Sequence, residues 1–567
     1  MSSTYGDKSK EAAADWYSNL VSWIRNQGGE IHSSLDLDVV DKSSRGIKAT
    51  ADIDEGSVLI RLPAKLALDG SGLPTAYEVK DASGRDDTGK RTASPWLRCL
   101  TSLLTESAGA RGQATKKNAG DDAINFAPYL NSLPESYDTL MDERSWSNED
   151  VATLLAGTAL GTVVTEERKV DMMNQRYKLS IVPYLQHVGL VAANDSSNSD
   201  NDYEDFKKAC ACVSTRGFHL QQGDQQKSKA ADTNDYSGPY LLPYIDLLNH
   251  CTEKKCTTLQ RDTTDGAFVM IAERKISAGE EIFHTYGTGL TAAQILQTFG
   301  FVEIGAARRA ANSQWNDDQY YGISPATLSA EAILNACRSI IDSSFPSDLK
   351  RSMEQNDFED ETWDVSVGKD RDVLLSHGLI SSDILVAEDN HAVLSDELVT
   401  LCCLPFLPDE VFSEWSEEPC LWGSEVLEDY FLGKLALRAL MKAIGTKLEE
   451  YAAIDASGCG LSKDDIEKGQ CGEDRALLQK LLDEPTDPVG SAMRSKAMSA
   501  LTIRLEEKHC LDLLKKEVID TLKSLDDDGD DEEGDFDKDD DANKGGDKRN
   551  AFDDGAADDL SSKKIKL

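Results

Sequence analysis

The sequence predicts an α+β fold: one β-rich domain split by a large α-helical insertion, followed by an α-helical C-terminal domain and a disordered acidic tail. Three observations carry that expectation. Strand texture fills Leu35–Leu68 and returns at Gly238–Phe301, about 170 residues later. Helical periodicity fills much of the interval and then dominates from about Ser324 to Leu525. The chain from Asp526 onward is dense in charge and has few large apolar residues before Leu560.

In chain order, the first helix is expected over Ala12–Gln27, where Trp16, Leu20, Val21 and Ile24 recur at helical spacing and Gly28-Gly29 end the run. The stretch SSRGIKATADI, the turn Asp54-Glu55-Gly56 and SVLIRLP, closed by Pro63, read as a β hairpin or meander. Between Gly70 and Gly120, Gly/Ser/Asp-rich loops surround one helical piece near Trp96–Glu106 and read as mobile insertions. Trp146–Gln186 is helical again, and the polar run AANDSSNSDNDYED after it reads as loop. GPYLLPYIDLLNH, CTTLQRD, GAFVMIAERKI and EIFHTYG restore strand texture, so the two β regions are expected to form one split sheet domain. LEDYFLGKLALRALMKAIGTKLEEYAA and MRSKAMSALTIRLEEKHCLDLLKKEVIDTL predict a separate α-helical domain. The expected boundaries are 1–30 for the N-terminal helix, 31–310 for the split domain with its insertion at about 70–235, 311–525 for the helical domain and 526–567 for the tail.

A length of 567 residues suits two or three domains. With 60 Lys plus Arg against 102 Asp plus Glu, the formal charge is -42, which repels phosphate backbones and argues against direct nucleic-acid binding. The same field attracts basic proteins. No apolar run reaches the ~18 residues of a membrane span, and the first 30 residues lack the pattern of a secretion signal. A soluble, intracellular monomer is expected, in the cytoplasm, the nucleus or both. The 12 scattered Cys read as reduced thiols, with Cys402 and Cys403 as buried small hydrophobes. The tail from Asp526 holds 17 acidic and 7 basic side chains. Its end, KKIKL, follows Lys548-Arg549 and reads either as a nuclear import signal or as a solvated chain end.

Three segments carry the chemistry. The first is Ser44-Arg45-Gly46-Ile47 with Asp52-Ile53 and Glu55-Gly56. The second is Leu242-Pro243-Tyr244-Ile245-Asp246-Leu247-Leu248-Asn249-His250. The third is Gly279-Glu280-Glu281-Ile282-Phe283-His284-Thr285-Tyr286-Gly287, followed by Gln294-Ile295-Leu296 and Phe299-Gly300-Phe301. In order and spacing they resemble the SET-domain protein-lysine methyltransferases, and more narrowly the class typified by the Rubisco large-subunit methyltransferase. The resemblance spans roughly residues 40–305. It implies a β-rich SET domain with a helical insertion, a helical substrate-binding domain, and S-adenosylmethionine (SAM) as methyl donor.

Methyl transfer from a sulfonium is an in-line displacement, so the site must mainly position a neutral amine against the methyl carbon. Burial beside a cation lowers the pKa of that amine, and no strong dedicated base is needed. A tyrosine hydroxyl at the channel mouth can orient the amine, and Tyr286 is the candidate catalytic residue. The resemblance implies that Asn249 holds the amino-acid end of SAM through its amide donor and acceptor, while the His250 backbone meets the adenine. It also implies cofactor contacts at Arg45, Gly46, Ile47, Asp246, Leu247 and Tyr286. Gly46 offers close backbone approach because it lacks a Cβ. Arg216, in Ser214-Thr215-Arg216-Gly217-Phe218, is similar to the family's Ser-Arg-x-Phe arginine, a bidentate partner for the SAM carboxylate.

The chain departs from the family at Phe299, where a tyrosine is common. It also departs in Cys256-Thr257-Thr258, where an aromatic is expected after Asn-His, and at Thr291, where Asn is common. Thr258 and Phe299 are therefore the expected substrate-channel residues, and methylation multiplicity does not carry over. Cys251 and Cys256 lack the partners of a zinc segment, so no metal is expected. Gly287-Thr288-Gly289 lacks the third glycine of a dinucleotide loop, and the Asp-rich tract at 526–529 lacks the spacing of a calcium loop. The reading is a SAM-dependent protein-lysine N-methyltransferase acting on a non-histone, basic protein, with a ribosomal protein favoured. The rivals are a histidine methyltransferase of the same fold, as an actin-directed relative is, and a non-catalytic SET-like scaffold for basic proteins.

Overall fold

The structure, a computed structural model, describes residues 4–39, 45–80, 86–110, 124–140, 142–191, 200–221, 236–315, 321–342, 473–483, 491–530 and, with short breaks, 381–451. Helix α1 (Thr4–Asn26) buries Leu20 and Ile24. Gly28 ends it, because a φ of +87° lets the Gly29 N–H donate back to the Ile24 carbonyl at 2.9 Å.

Strands β1 (Glu30–Ile31), β2 (Leu35–Val39), β3 (Arg45–Ala49) and β4 (Val58–Leu62) follow. The insertion holds β5 (Ala76–Lys80), β6 (Asp86–Thr92), α2 (Pro95–Ala110), α3 (Ala127–Leu130), α4 (Asn148–Leu154), α5 (Ala159–Lys169) and α6 (Met172–Arg176). One π-helical turn, Tyr177–Ile181, leads into α7 (Val182–His187), and α8 (Asp200–Arg216) closes the insertion. Then come β7 (Gly217–Gln221), β8 (Tyr236–Leu241), a 3-10 turn at Ile245–Leu247, β9 (Asn249–His250), β10 (Thr257–Arg261), β11 (Phe268–Ala272) and β12 (Phe283–His284).

The split sheet closes across the insertion. Strands run in the order β1-β4-β11-β10, all antiparallel, with Met270 opposite Ile60. Hairpin β2-β3 sets Leu37 against Ile47, and the short parallel pair β9-β12 sets Asn249 beside Phe283 and His250 beside His284. One core, including Leu20, Ile47, Leu59, Ile60, Phe206 and Met270, joins α1, the sheet and α8.

Some local expectations change. The region read as loops around one helix also contains the β5-β6 hairpin, whose second strand, DDTGKRT, has no apolar residue to alternate. Pairing with β5 builds it, while Tyr77 of β5 supplies the burial. The polar run read as loop is helix from Asp200, because Phe206, Ala209, Cys210 and Val213 give α8 a buried face; residues 192–199 lie outside the described residues. Strand texture also stops short of Phe301. Helix α9 (Ala292–Phe299) starts at a Thr291-Gln294 capping box and ends at Gly300, at φ +84°.

Beyond it stand α10 (Ile304–Asn312), β13 (Thr327–Ser329), α11 (Ala330–Asp342), β14 (Asp383–Leu385), β15 (Ala387–Glu388), β16 (His391–Ala392), α12 (Asp396–Cys403), α13 (Tyr430–Glu450), α14 (Glu473–Asp483) and α15 (Ser491–Asp530). This region is mainly helical, with an antiparallel pair, β13-β14, whose strands flank α11 in the chain, and a small hairpin, β15-β16. It has its own core around Leu334, Leu401, Leu440, Leu511 and Val518. It is not separate, however. A further core packs Trp146 and Leu154 of the insertion with Leu296 of α9, Ala310 of α10, Leu481 of α14 and Leu501 of α15. Buried polar contacts reinforce the junction: Arg309 meets Glu506 at 2.6 Å, and Glu507 accepts from the Ala159 N–H at 2.9 Å. The boundary expected at residue 310 therefore falls inside α10, a helix packed on both sides of it. The boundary expected at Asp526 falls inside α15, which runs to Asp530; the tail from residue 531, including KKIKL, lies outside the described residues.

Candidate active site

The three motif segments converge where β3, the 3-10 turn and the β9-β12 pair meet. Tyr244 opens the turn at φ +72°, a conformation that a bulky side chain seldom adopts. It is fully buried, and its hydroxyl pairs with that of Tyr17 on α1 at 2.9 Å. The N-terminal helix thus braces the turn that presents Asp246, Leu247, Asn249 and His250.

Asp246 is the centre of a buried charge cluster. Arg216, the last residue of α8, donates from Nη1 to the Asp246 carbonyl at 2.6 Å and stands 3.5 Å from its carboxylate. Tyr129 of α3 donates its hydroxyl to the same carboxylate at 3.0 Å. Arg45 couples electrostatically to both Arg216 and Asp246, and its guanidinium lies over the Trp16 ring at 5.2 Å. Burial pushes the Asp246 carboxyl up, and Arg216, Tyr129 and Arg45 only partly offset that. Burial and the like charge of Arg216 push Arg45 down. Burial pushes the Arg216 guanidinium down, but its couplings to Asp246, Tyr137, Cys212 and Tyr129 together outweigh that and hold it above its usual value.

Three polar atoms of this cluster are buried without a partner: Nη2 of Arg45, Nε of Arg216 and Oδ1 of Asp246. Leaving such groups unpaired is costly, so the cluster is built to receive a ligand. Two donors on guanidinium groups and one carboxylate acceptor complement a carboxylate and an ammonium, the two ends of an α-amino acid. The residues present therefore fit the amino-acid end of SAM.

Asn249 lies alongside. Its Nδ2 donates to the Arg45 carbonyl at 2.9 Å and to Glu281 Oε1 at 2.7 Å, which uses both amide hydrogens and leaves Oδ1 for a ligand. This narrows the expected role of Asn249, since only its acceptor is spare. A Cβ on Gly46 would stand 2.4 Å from Glu281 Oε1 and 2.8 Å from Asn249 Nδ2, so glycine is what permits the close approach. Ile47 is fully buried, with its carbonyl accepting the Ile282 N–H at 2.7 Å, and Leu247 is buried in the turn.

On the other side of the turn is an aromatic stack. Tyr286 stacks on His250 with centroids 4.8 Å apart and meets the Phe299 ring at 4.7 Å. The Tyr286 hydroxyl donates to the Leu248 carbonyl at 3.2 Å, and burial pushes it up to about 12, so it stays protonated. The Tyr286 N–H donates to Nδ1 of His250 at 3.1 Å, while Nε2 faces Glu303 Oε1 at 2.7 Å. Burial pushes the Glu303 carboxyl up, but hydrogen bonds from His250 and Thr252 outweigh it and hold it below the usual range.

The structure thus gathers Arg45, Gly46, Ile47, Arg216, Asp246, Leu247, Asn249, His250, Tyr286 and Phe299. Thr258 sits mid-strand in β10 opposite Ile271. Tyr17, Tyr129, Tyr244, Glu281 and Glu303 were not singled out from sequence. Glu281 and Tyr244 lie inside the motifs and could have been; Tyr17, Tyr129 and Glu303 arrive from distant elements and carry no local signal. Among the described residues no group of His, Cys, Asp and Glu could hold a metal ion, ten cysteines are free thiols, and no helix is long and apolar enough to cross a membrane.

Residues 44–287, the split sheet with its motif turn, match the family model of the SET domain. A solved structure of Rubisco LSMT bound to AdoMet matches with a TM-score of 0.51 at 17% identity, covering 91% of this chain and 93% of that one. Similar in sequence are the N-lysine methyltransferase setd6 of Danio rerio, 26% identical over 46% of this chain and 50% of that protein, and the ribosomal lysine N-methyltransferase set11 of Schizosaccharomyces pombe, 22% identical over 47% and 56%. The chain spans about half the length of these curated relatives.

Proposed function

We propose that this protein is a SAM-dependent protein-lysine N-methyltransferase acting as a monomer on a basic, non-histone protein, with a ribosomal protein favoured, in the cytoplasm or nucleus. The observation that carries the reading is the buried Arg45-Arg216-Asp246 cluster, with its unpaired donors and acceptor, set beside the Tyr286 stack. Arg45 and Arg216 would hold the carboxylate end of SAM, while Asp246 Oδ1 and Asn249 Oδ1 would accept from its ammonium. When bound, SAM supplies an activated methyl group. The Tyr286 hydroxyl, fixed as a donor to Leu248, offers its oxygen lone pairs to orient the incoming amine. Phe299 and His250 wall the ring and exclude water, which favours the neutral amine. Phe299 brings no second hydroxyl to the amine, so the methylated forms are held less selectively. The charge of -42 supports a basic substrate.

The test is SAM binding by calorimetry together with labelled methyl transfer into ribosomal-protein fractions and residue mapping. Tyr286→Phe should lower turnover with SAM affinity nearly unchanged, whereas Asn249→Ala should weaken SAM binding. Label on histidine would select the histidine rival. No binding and no transfer would leave the scaffold.

A further inference from the structure

Glu303 precedes α10 and reaches across to the motif turn, with only 7% of its surface exposed. Its carboxylate collects three donors. The Thr252 N–H donates to Oε2 at 2.8 Å, the Thr252 hydroxyl to Oε1 at 2.6 Å, and His250 Nε2 faces Oε1 at 2.7 Å. The opposite edge of the His250 ring is equally constrained, because the Tyr286 main-chain N–H is an obligatory donor to Nδ1. An acceptor on one edge and a donor on the other admit one tautomer: the proton on Nε2, none on Nδ1.

We propose that Glu303 is a positioning residue, which holds His250 as the Nε2–H tautomer so that Nδ1 anchors the Tyr286 backbone and the Tyr286 hydroxyl stays in place. With the tautomer reversed, an Nδ1–H would point at the Tyr286 N–H, two donors would face each other, and the stack would shift. Helix α10 gives the carboxylate a firm base: Arg309, farther along it, bonds Glu506 and the carbonyls of Tyr321 and Gly322. The other ionisable groups around Glu303 are Glu253, Tyr321 and Cys251. The functional consequence rests on the methyltransferase reading; the tautomer does not.

The experiment uses full-length protein with ¹⁵N-labelled histidine. In the wild type, His250 Nδ1 should resonate as a bare acceptor nitrogen and Nε2 as a protonated one. Glu303→Ala should erase that signature and lower kcat by about 10- to 100-fold, the scale of a misplaced reacting group, while the KM for SAM moves little. Glu303→Gln keeps an oxygen for His250 but sets its amide against the Thr252 N–H. It should therefore lose stability yet retain the tautomer and most of the turnover lost in Glu303→Ala. Turnover that merely followed stability through the two variants, or a wild-type spectrum with the proton on Nδ1, would overturn the proposal. The wild-type spectrum decides it even if Glu303→Ala does not fold. A wild type that binds no SAM would defeat the methyltransferase reading, and the spectra would still decide the role of Glu303.

Discussion

Arg216 and Asp246 are joined through both main chain and side chain: the guanidinium donates to the Asp246 carbonyl at 2.6 Å and stands 3.5 Å from its carboxylate. The contact fastens the end of the helical insertion to the motif turn. It also leaves Nε of the arginine and Oδ1 of the aspartate facing no protein partner.

Arg216→Ala should therefore cost stability. A buried carboxylate loses its main counter-ion, which costs about 3–5 kcal/mol and is read by urea unfolding. Arg216→Lys keeps the charge but not the planar fork, so stability should recover in part while SAM affinity stays at least ~10-fold weaker by calorimetry.

Gly46→Ala separates the cofactor cradle from the fold. The new Cβ meets Glu281 Oε1 and Asn249 Nδ2, both side-chain ends, so the Asn249-Glu281 bond should break at a cost of about 1 kcal/mol. SAM affinity should fall by more than that loss, because Asn249 Oδ1 moves with it. Unchanged affinity by calorimetry would remove Asn249 from the binding site.

The Tyr17-Tyr244 pair predicts a coupling between α1 and the motif turn. Tyr17→Phe leaves the Tyr244 hydroxyl buried and unpaired, at about 1–3 kcal/mol. Tyr17→Phe combined with Tyr244→Phe should cost less than the sum of the singles in a double-mutant cycle. Additive losses would mean that the hydroxyls do not interact.

Glu507 predicts a pH dependence at the junction between the insertion and α15. Burial pushes its carboxyl up to about 8 against an ordinary 4.5, although Tyr451, the Ala159 N–H and Lys447 favour its charged form and Glu506 opposes it. Between those values the folded chain keeps a proton that the unfolded chain releases, so the Glu507 contribution to stability is present at low pH and is lost as pH rises toward 8. Glu507→Gln should match the wild type near pH 4.5 and melt at a higher temperature than the wild type at pH 8. Parallel Tm curves across that range would contradict the assignment.

How much of the site was legible follows from where its residues lie. Asn249, His250 and Tyr286 stand within short motifs whose spacing reflects local backbone, the turn after Tyr244 and the strand before Gly287. Arg216 was legible as well, through its likeness to the family's Ser-Arg-x-Phe segment, and it ends α8 just before β7. Thr258 was placed by analogy of position, and it lies mid-strand in β10 opposite Ile271. Local pattern also missed the β5-β6 hairpin, whose polar strand shows no period, and α9, whose cap at Thr291 and Gln294 was present but masked by neighbouring strands.

The sequence by itself determined the split β domain, the inserted and C-terminal helices and the motif residues, because each depends on periodicity or short spacing. Only the tertiary structure decided that Glu303 reaches His250 and Thr252, that Tyr129 and Arg216 share Asp246, and that α15 packs into the insertion as well as its own domain. Those contacts pair residues far apart in the chain, and a buried polar group accepts whichever partner the packing brings within reach. Such pairings leave no period in the sequence.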